Sequence, residues 1–163
     1  MGIYQPKNED VIFKWALQVQ PESKTRNCHH IGASLYNYGT EIARIVEGKG
    51  KASIALVSSD RWSDTTTALQ NLAAGIADKH AELPVYRVPR LGGDKVSVGV
   101  NLAHYTGEVR DLIEKLRRGR ETSVPQYMRE ILETMATAAA YGRAFGRKWV
   151  WTGEDPETVR KEG

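Results

Sequence analysis

The run Leu35-Tyr36-Asn37-Tyr38-Gly39-Thr40-Glu41-Ile42-Ala43-Arg44-Ile45-Val46, then Glu47-Gly48-Lys49-Gly50, then Ser53-Ile54-Ala55-Leu56-Val57, decides the fold. Aliphatic, β-branched and aromatic residues fill each of the three pieces, and Gly39 and Gly48-Lys49-Gly50 punctuate them. Two β-rich runs joined by a short glycine-containing turn form a hairpin, and strands linked this way pair antiparallel. Ser58-Ser59-Asp60 ends the sheet segment.

Downstream, Arg61-Trp62-Ser63-Asp64-Thr65-Thr66-Thr67 opens a helix that runs to about Lys79. Ser63 or Asp64 can accept from the free N–H groups of its first turn, and Leu69, Leu72, Ala73 and Ile76 recur at helical spacing. Residues 83–88 and 96–100 read as two further short strands, with Pro89 to Lys95, including Gly92-Gly93-Asp94, as the turn between them. Two long helices close the chain. The first places Leu102, Tyr105, Val109, Leu112, Ile113 and Leu116 on one stripe. The second starts near Ser123 with Pro125 in its first turn, where the missing N–H does no harm, and buries Met128, Ile131, Leu132, Met135, Ala139 and Gly142.

Upstream, Asn8 to Gln20 predicts a helix with Ile12, Trp15 and Val19 on one face, stopped by Pro21. The polar residues from Pro21 to His30 read as a loop. The expected fold is α+β: a small antiparallel sheet packed by about three to four helices, two of them long and C-terminal. Residues 1–151 form one globular domain, and 152–163 a polar, frayed tail.

At 163 residues the chain can bury a sizeable core without disulfides. Cys28 is the single cysteine, so no intrachain disulfide forms, and a reducing cytosol is the expected compartment. No apolar run approaches the roughly 18 residues of a membrane span, and the polar N-terminus is not a signal peptide. The net charge of +3, from 23 basic and 20 acidic residues, does not mark a nucleic-acid binder unless the charge clusters locally.

Cys28-His29-His30 invites a metal reading, with His80 and His104 as distant partners. Neither C-x-x-C nor H-x-x-x-H spacing is present, so no metal and no cofactor is expected. Gly92-Gly93 precedes a predicted strand, whereas a phosphate-cradling loop must open a helix. Ser63 and Thr65 to Thr67 sit in no nucleophile elbow and read as capping residues. A helix N-terminus also receives anions, and Arg61 and Trp62 stand beside this one.

The second candidate surface is Arg143-Ala144-Phe145-Gly146-Arg147-Lys148-Trp149-Val150-Trp151, with Arg117-Arg118-Gly119-Arg120 at the end of the preceding helix. Arginine interleaved with aromatic rings suits phosphate contact plus base stacking. Arginine at a helix C-terminus also complements the helix dipole without any ligand, and the tryptophan face can equally be core. The candidate binding residues are therefore Arg61, Trp62, Arg143, Arg147, Lys148, Trp149 and Trp151, and no catalytic residue is assigned.

The order Tyr38-Gly39-Thr40-Glu41-Ile42-Ala43, a β-turn, then Trp62-Ser63-Asp64-Thr65-Thr66 and a helix carrying Gln70-Asn71 resembles a group of small proteins encoded by tailed bacteriophages. In that group a YGT-x-IA strand leads to a W/Y-S-x-T-T turn and a helix with a polar Gln/Asn pair. The likeness covers about a quarter of the chain and brings no catalytic residue with it. It implies action in the bacterial cytoplasm, where small phage proteins often bind and block a host protein. The expectation is a non-enzymatic phage accessory protein whose partner is a host protein or complex, a defence or replication component. The alternatives are nucleic-acid binding through the Arg/Trp surface and, third, an enzyme acting on a nucleotide.

Overall fold

The computed structural model describes residues 7–61 and 63–162. The chain divides into two compact units, 1–97 and 98–163. The first holds α1 (Asn8–Leu17), β1 (Glu22–Lys24), β2 (Cys28–Ile31), β3 (Ser34–Asn37), β4 (Thr40–Glu47), β5 (Ser53–Ser58), α2 (Asp64–Lys79) and β6 (Val85–Val88). Helix α3 (Lys95–Arg118) runs across the division, and α4 (Val124–Ala144) and α5 (Pro156–Glu162) complete the second unit. Among the described residues no helix is long and apolar enough to cross a membrane.

The α+β fold read from the sequence holds. A six-stranded sheet lies in the order β1-β2-β3-β4-β5-β6, antiparallel through β5. β6 pairs with β5 in parallel, because α2 carries the chain back across the sheet before β6 begins. A bulge between Leu35 and Tyr36 interrupts the β3–β4 register, so the consecutive residues Ile42 and Ala43 are both buried in one core. That core is roofed by α1 and α2, whose Ile12, Trp15, Leu69, Ala73 and Ile76 meet Cys28, Leu35, Ala43, Ala55 and Val57. Trp15 is fully buried, and its indole N–H donates to the Ala33 carbonyl at 2.8 Å.

Four expectations are corrected. Helix α1 ends at Leu17 rather than Gln20, turned out of the helix by the left-handed backbone of Gln18. The supposed loop from Pro21 to His30 is the β1–β2 hairpin, hidden from a hydropathy reading because its inward residues are Cys28 and His30. Residues 96–100 are helix, not strand. The Asp94 carboxylate accepts from the Ser97 backbone N–H at 3.1 Å, and hydrogen bonds from Ser97 hold that carboxyl below its usual value. Alternating valines imitate a strand there, but only Val98 is buried and Val96 is 73% exposed. Gly92-Gly93 therefore leads into a helix and makes no hairpin turn. The tail contains α5, whose Val159 is buried with Ile113, Leu116 and Ile131.

In the second unit α3 buries Tyr105, Val109, Ile113 and Leu116, and α4 buries Ile131, Ala138, Tyr141 and Gly142. Buried Asn101 donates to the Tyr141 hydroxyl at 2.9 Å. Helix α4 stops in a paired reverse bond: Arg147 N–H reaches the Gly142 carbonyl at 2.7 Å and Gly146 N–H the Arg143 carbonyl at 3.1 Å. Gly146 supplies the positive φ of 71° that this termination needs. A Cβ on Gly142 would lie 2.5 Å from the Arg147 carbonyl oxygen, so the chain returns over α4 only because that position is bare.

Candidate binding surface

The strand directions bring several loops to one end of the N-terminal unit. There β1 turns into β2, β3 turns into β4, β5 and β6 finish, and α1 and α2 begin. Backbone at such an end has lost its ladder partners, so side chains must satisfy it. Ser63 caps α2, accepting from Thr66 N–H at 3.2 Å. The Thr66 hydroxyl bonds Ser63 Oγ at 3.0 Å and accepts from buried Asn37 Nδ2 at 2.7 Å. Asn37 Oδ1 accepts in turn from Asn27 Nδ2 at 3.4 Å. On the α2 side, buried Gln70 donates to the Asp60 carbonyl at 3.0 Å, and Asp60 N–H donates to Ser58 Oγ at 3.1 Å. Thr25 Oγ1 donates to Asn8 Oδ1 at 2.6 Å, tying the β1–β2 turn to the start of α1.

This network holds two exposed features. Tyr38 occupies the hairpin tip at φ 52° and is 62% exposed, with its N–H given to the Asn27 carbonyl at 2.6 Å. Left-handed backbone costs a bulky residue on the order of 1–3 kcal/mol and persists only where the surroundings enforce it. Arg61 is exposed in the turn before α2. Trp62 lies outside the described residues.

The Arg/Trp candidates of the C-terminal unit are arranged differently. Trp149 is partly buried against the apolar cluster of that unit and donates its indole N–H to Thr106 Oγ1 at 3.0 Å. Trp151 packs there too and donates to the Glu154 carbonyl at 2.8 Å. Arg143, Arg147 and Lys148 are exposed near the end of α4. Arg117 is held by Glu154 at 2.5 Å, Glu162 at 3.3 Å and Glu114 at 3.4 Å. Arg147 Nη1 reaches within 4.0 Å of a Cβ built on Gly99. Along α3 about 27 Å separates Gly99 from Arg117 at helical rise, so the two basic groups do not merge into one stripe.

On β2, His29 points to the opposite face from buried Cys28 and His30, and its ring stacks on Tyr36 at 4.8 Å. Burial pushes the Cys28 thiol up to about 11. Among the described residues no group of His, Cys, Asp and Glu side chains is placed to hold a metal. Partial burial raises the Glu41 carboxyl, but hydrogen bonds from Arg44 and Ser34 outweigh it and hold the group below its usual value. Sequence reasoning missed Asn27, Asn37 and the tertiary role of Thr66. The available signal was Asn37 immediately before a Tyr-Gly tip, since asparagine favours such turns. No protein-family model, no curated protein and no solved structure matches the chain.

Proposed function

We propose that this is a phage accessory protein that acts in the bacterial cytoplasm by binding a macromolecular partner, a host protein, through the loop end of its N-terminal unit. One observation carries the reading. The Tyr38-Gly39-Thr40 tip, the Ser63–Thr66 turn and the Gln70 helix are the pieces on which the phage resemblance rests. They are distant in sequence, yet each is tied by hydrogen bonds into this one end of the fold. A rigid, hydrogen-bonded base beneath an exposed tyrosine and arginine suits protein recognition, because both residue types dominate interface energetics and a preorganised support lowers the entropy lost on binding.

Affinity isolation from bacterial lysate with and without nuclease, followed by titration of the purified captured protein, tests the reading. A partner retained after nuclease treatment and bound at least about tenfold more weakly by Tyr38→Ala and Arg61→Ala supports it. Capture abolished by nuclease overturns it in favour of nucleic-acid binding.

A further inference from the structure

The outer edge of β1 carries features that the loop-end reading does not use. β1 is the first strand in the sheet order, and among the described residues no strand pairs with its outer side. The bonds Thr25 N–H to Cys28 carbonyl and Gly32 N–H to Pro21 carbonyl, each 2.7 Å, set the phase of its ladder with β2. Bonded and non-bonded pairs alternate along antiparallel strands, so Ser23 and His30 form a bonded pair. The N–H and C=O groups of Glu22 and Lys24 then point away from the sheet. The Glu22 carbonyl duly meets a donor from outside the ladder, the side-chain amide of Gln20 at 2.6 Å.

An open edge of this kind is a template for another strand, and its side chains decide which strand fits. Glu22 and Lys24 are both exposed, with Ser23 between them. The strand reads acid, neutral, base, and a reversed copy of itself reads base, neutral, acid. In an antiparallel pairing centred on Ser23, Glu22 lies opposite the second copy's Lys24, and Lys24 opposite its Glu22. These are the residues whose backbone groups face outward, so they exchange N–H···O bonds while their side chains pair as ions across the strands. Sliding the register by two residues sets Glu22 against Glu22 or Lys24 against Lys24, which like charge opposes. Apolar side chains border the same edge. Ile31, opposite Glu22 on β2, is 57% exposed, and Leu17 and Val19, in the segment leading from α1 into β1, are 47% and 65% exposed. A chain docked on β1 covers part of this surface.

We propose that β1 pairs antiparallel with β1 of a second copy of this chain, giving a two-fold dimer with one continuous sheet. The Lys24 N–H of one copy takes the Glu22 carbonyl of the other, and the Gln20 amide swings clear. β1 runs toward the loop end of its own copy, so its antiparallel partner runs away from it. The dimer therefore carries its two Tyr38 tips at opposite ends, each open to a host protein. The contact is short, in the class of weak, transient interfaces that bury less than about 1,200 Å2, so it forms reversibly with concentration.

Sedimentation velocity of the full chain from about 10 to 1,000 µM, where weak contacts populate, tests the assignment. The sedimentation coefficient should rise with concentration toward that of a dimer. Glu22→Lys sets lysine against lysine and Lys24→Glu sets glutamate against glutamate, and each should weaken self-association at least about tenfold. An equimolar mixture of these two variants should dimerise again, because every pair across the strands is then opposite in charge. Gln20→Ala should tighten the dimer by freeing the Glu22 carbonyl. Tyr38→Ala and Arg61→Ala should leave it unchanged, which separates this edge from the host-protein surface. A chain that stays monomeric across the range, a dimer indifferent to Glu22→Lys, or a mixture that stays monomeric overturns the proposal. β1 is then an edge guarded by Lys24 and the Gln20 amide.

Discussion

Aromatic and arginine residues meet in both units, with opposite outcomes. In the C-terminal unit the tryptophan rings pack, partly buried, against the apolar cluster, their N–H groups are bonded internally, and Arg117 is surrounded by three carboxylates. At the loop end of the N-terminal unit the polarity is reversed. Amide and hydroxyl side chains fill the interior, and Tyr38 stands outside it in a backbone conformation that its side chain disfavours. Where aromatic residues are internally satisfied, they hold helices together. Where polar groups support the backbone beneath it, the ring stays exposed.

The largest effect should come from the packed side. Trp149→Ala is expected to destabilise the C-terminal unit by about 3 kcal/mol, the low end for truncating a large aromatic because the ring is partly buried, measured by denaturant melts. A neutral result would return Trp149 to the exposed column and erase the contrast. Next, Thr66→Val removes the acceptor of Asn37 Nδ2 and strands a buried amide, which should cost about 1–3 kcal/mol. Ser63→Ala removes the α2 cap and should cost about 1 kcal/mol. Tyr38→Gly should change stability in the other direction, by up to about 1 kcal/mol, because glycine occupies φ 52° freely. A stabilised variant that binds its partner less well would show the strain to be functional, and a destabilised one would mean the ring packs after all.

The smallest effect concerns pH. Because the folded Glu41 carboxyl is held below its usual value, its pairing with Arg44 stabilises the fold fully above the unfolded-state value and is lost as pH falls toward the folded one. Thermal melts of wild type and Glu41→Gln should therefore converge on acidification, and a constant gap would exclude this carboxylate from the acid response.

Much of the N-terminal fold was legible because β3, β4 and β5 carry their own apolar residues and turn glycines, and Ser63 caps α2 in the manner its sequence position suggests. The β1–β2 hairpin was illegible for a specific reason. Its inward positions are a cysteine and a histidine, and the histidine is acceptable inside only because Ser23 and the Gln20 carbonyl satisfy it. Val159 in α5 gives no periodic signal in so short a helix, and its burial depends on apolar surface left by α3 and α4. The Arg/Trp segment stayed open between surface and core because interleaving alone does not say whether a ring's N–H has a partner within the fold. That is a tertiary fact, carried by Thr106 and the backbone of Glu154.

The strand order has a further consequence, in time rather than in space. From β1 to β5 each strand lies beside its predecessor in the chain, so every pairing closes only a short loop at little entropic cost. β6 breaks that rule, since its place beside β5 is reached only after α2 has been laid across the sheet. A chain emerging from its N-terminus can thus assemble five strands as they appear, while the sixth waits for a helix. The hydrogen bonds of Asp60 and Ser63 lie at the two ends of that crossover, where β5 finishes and α2 begins.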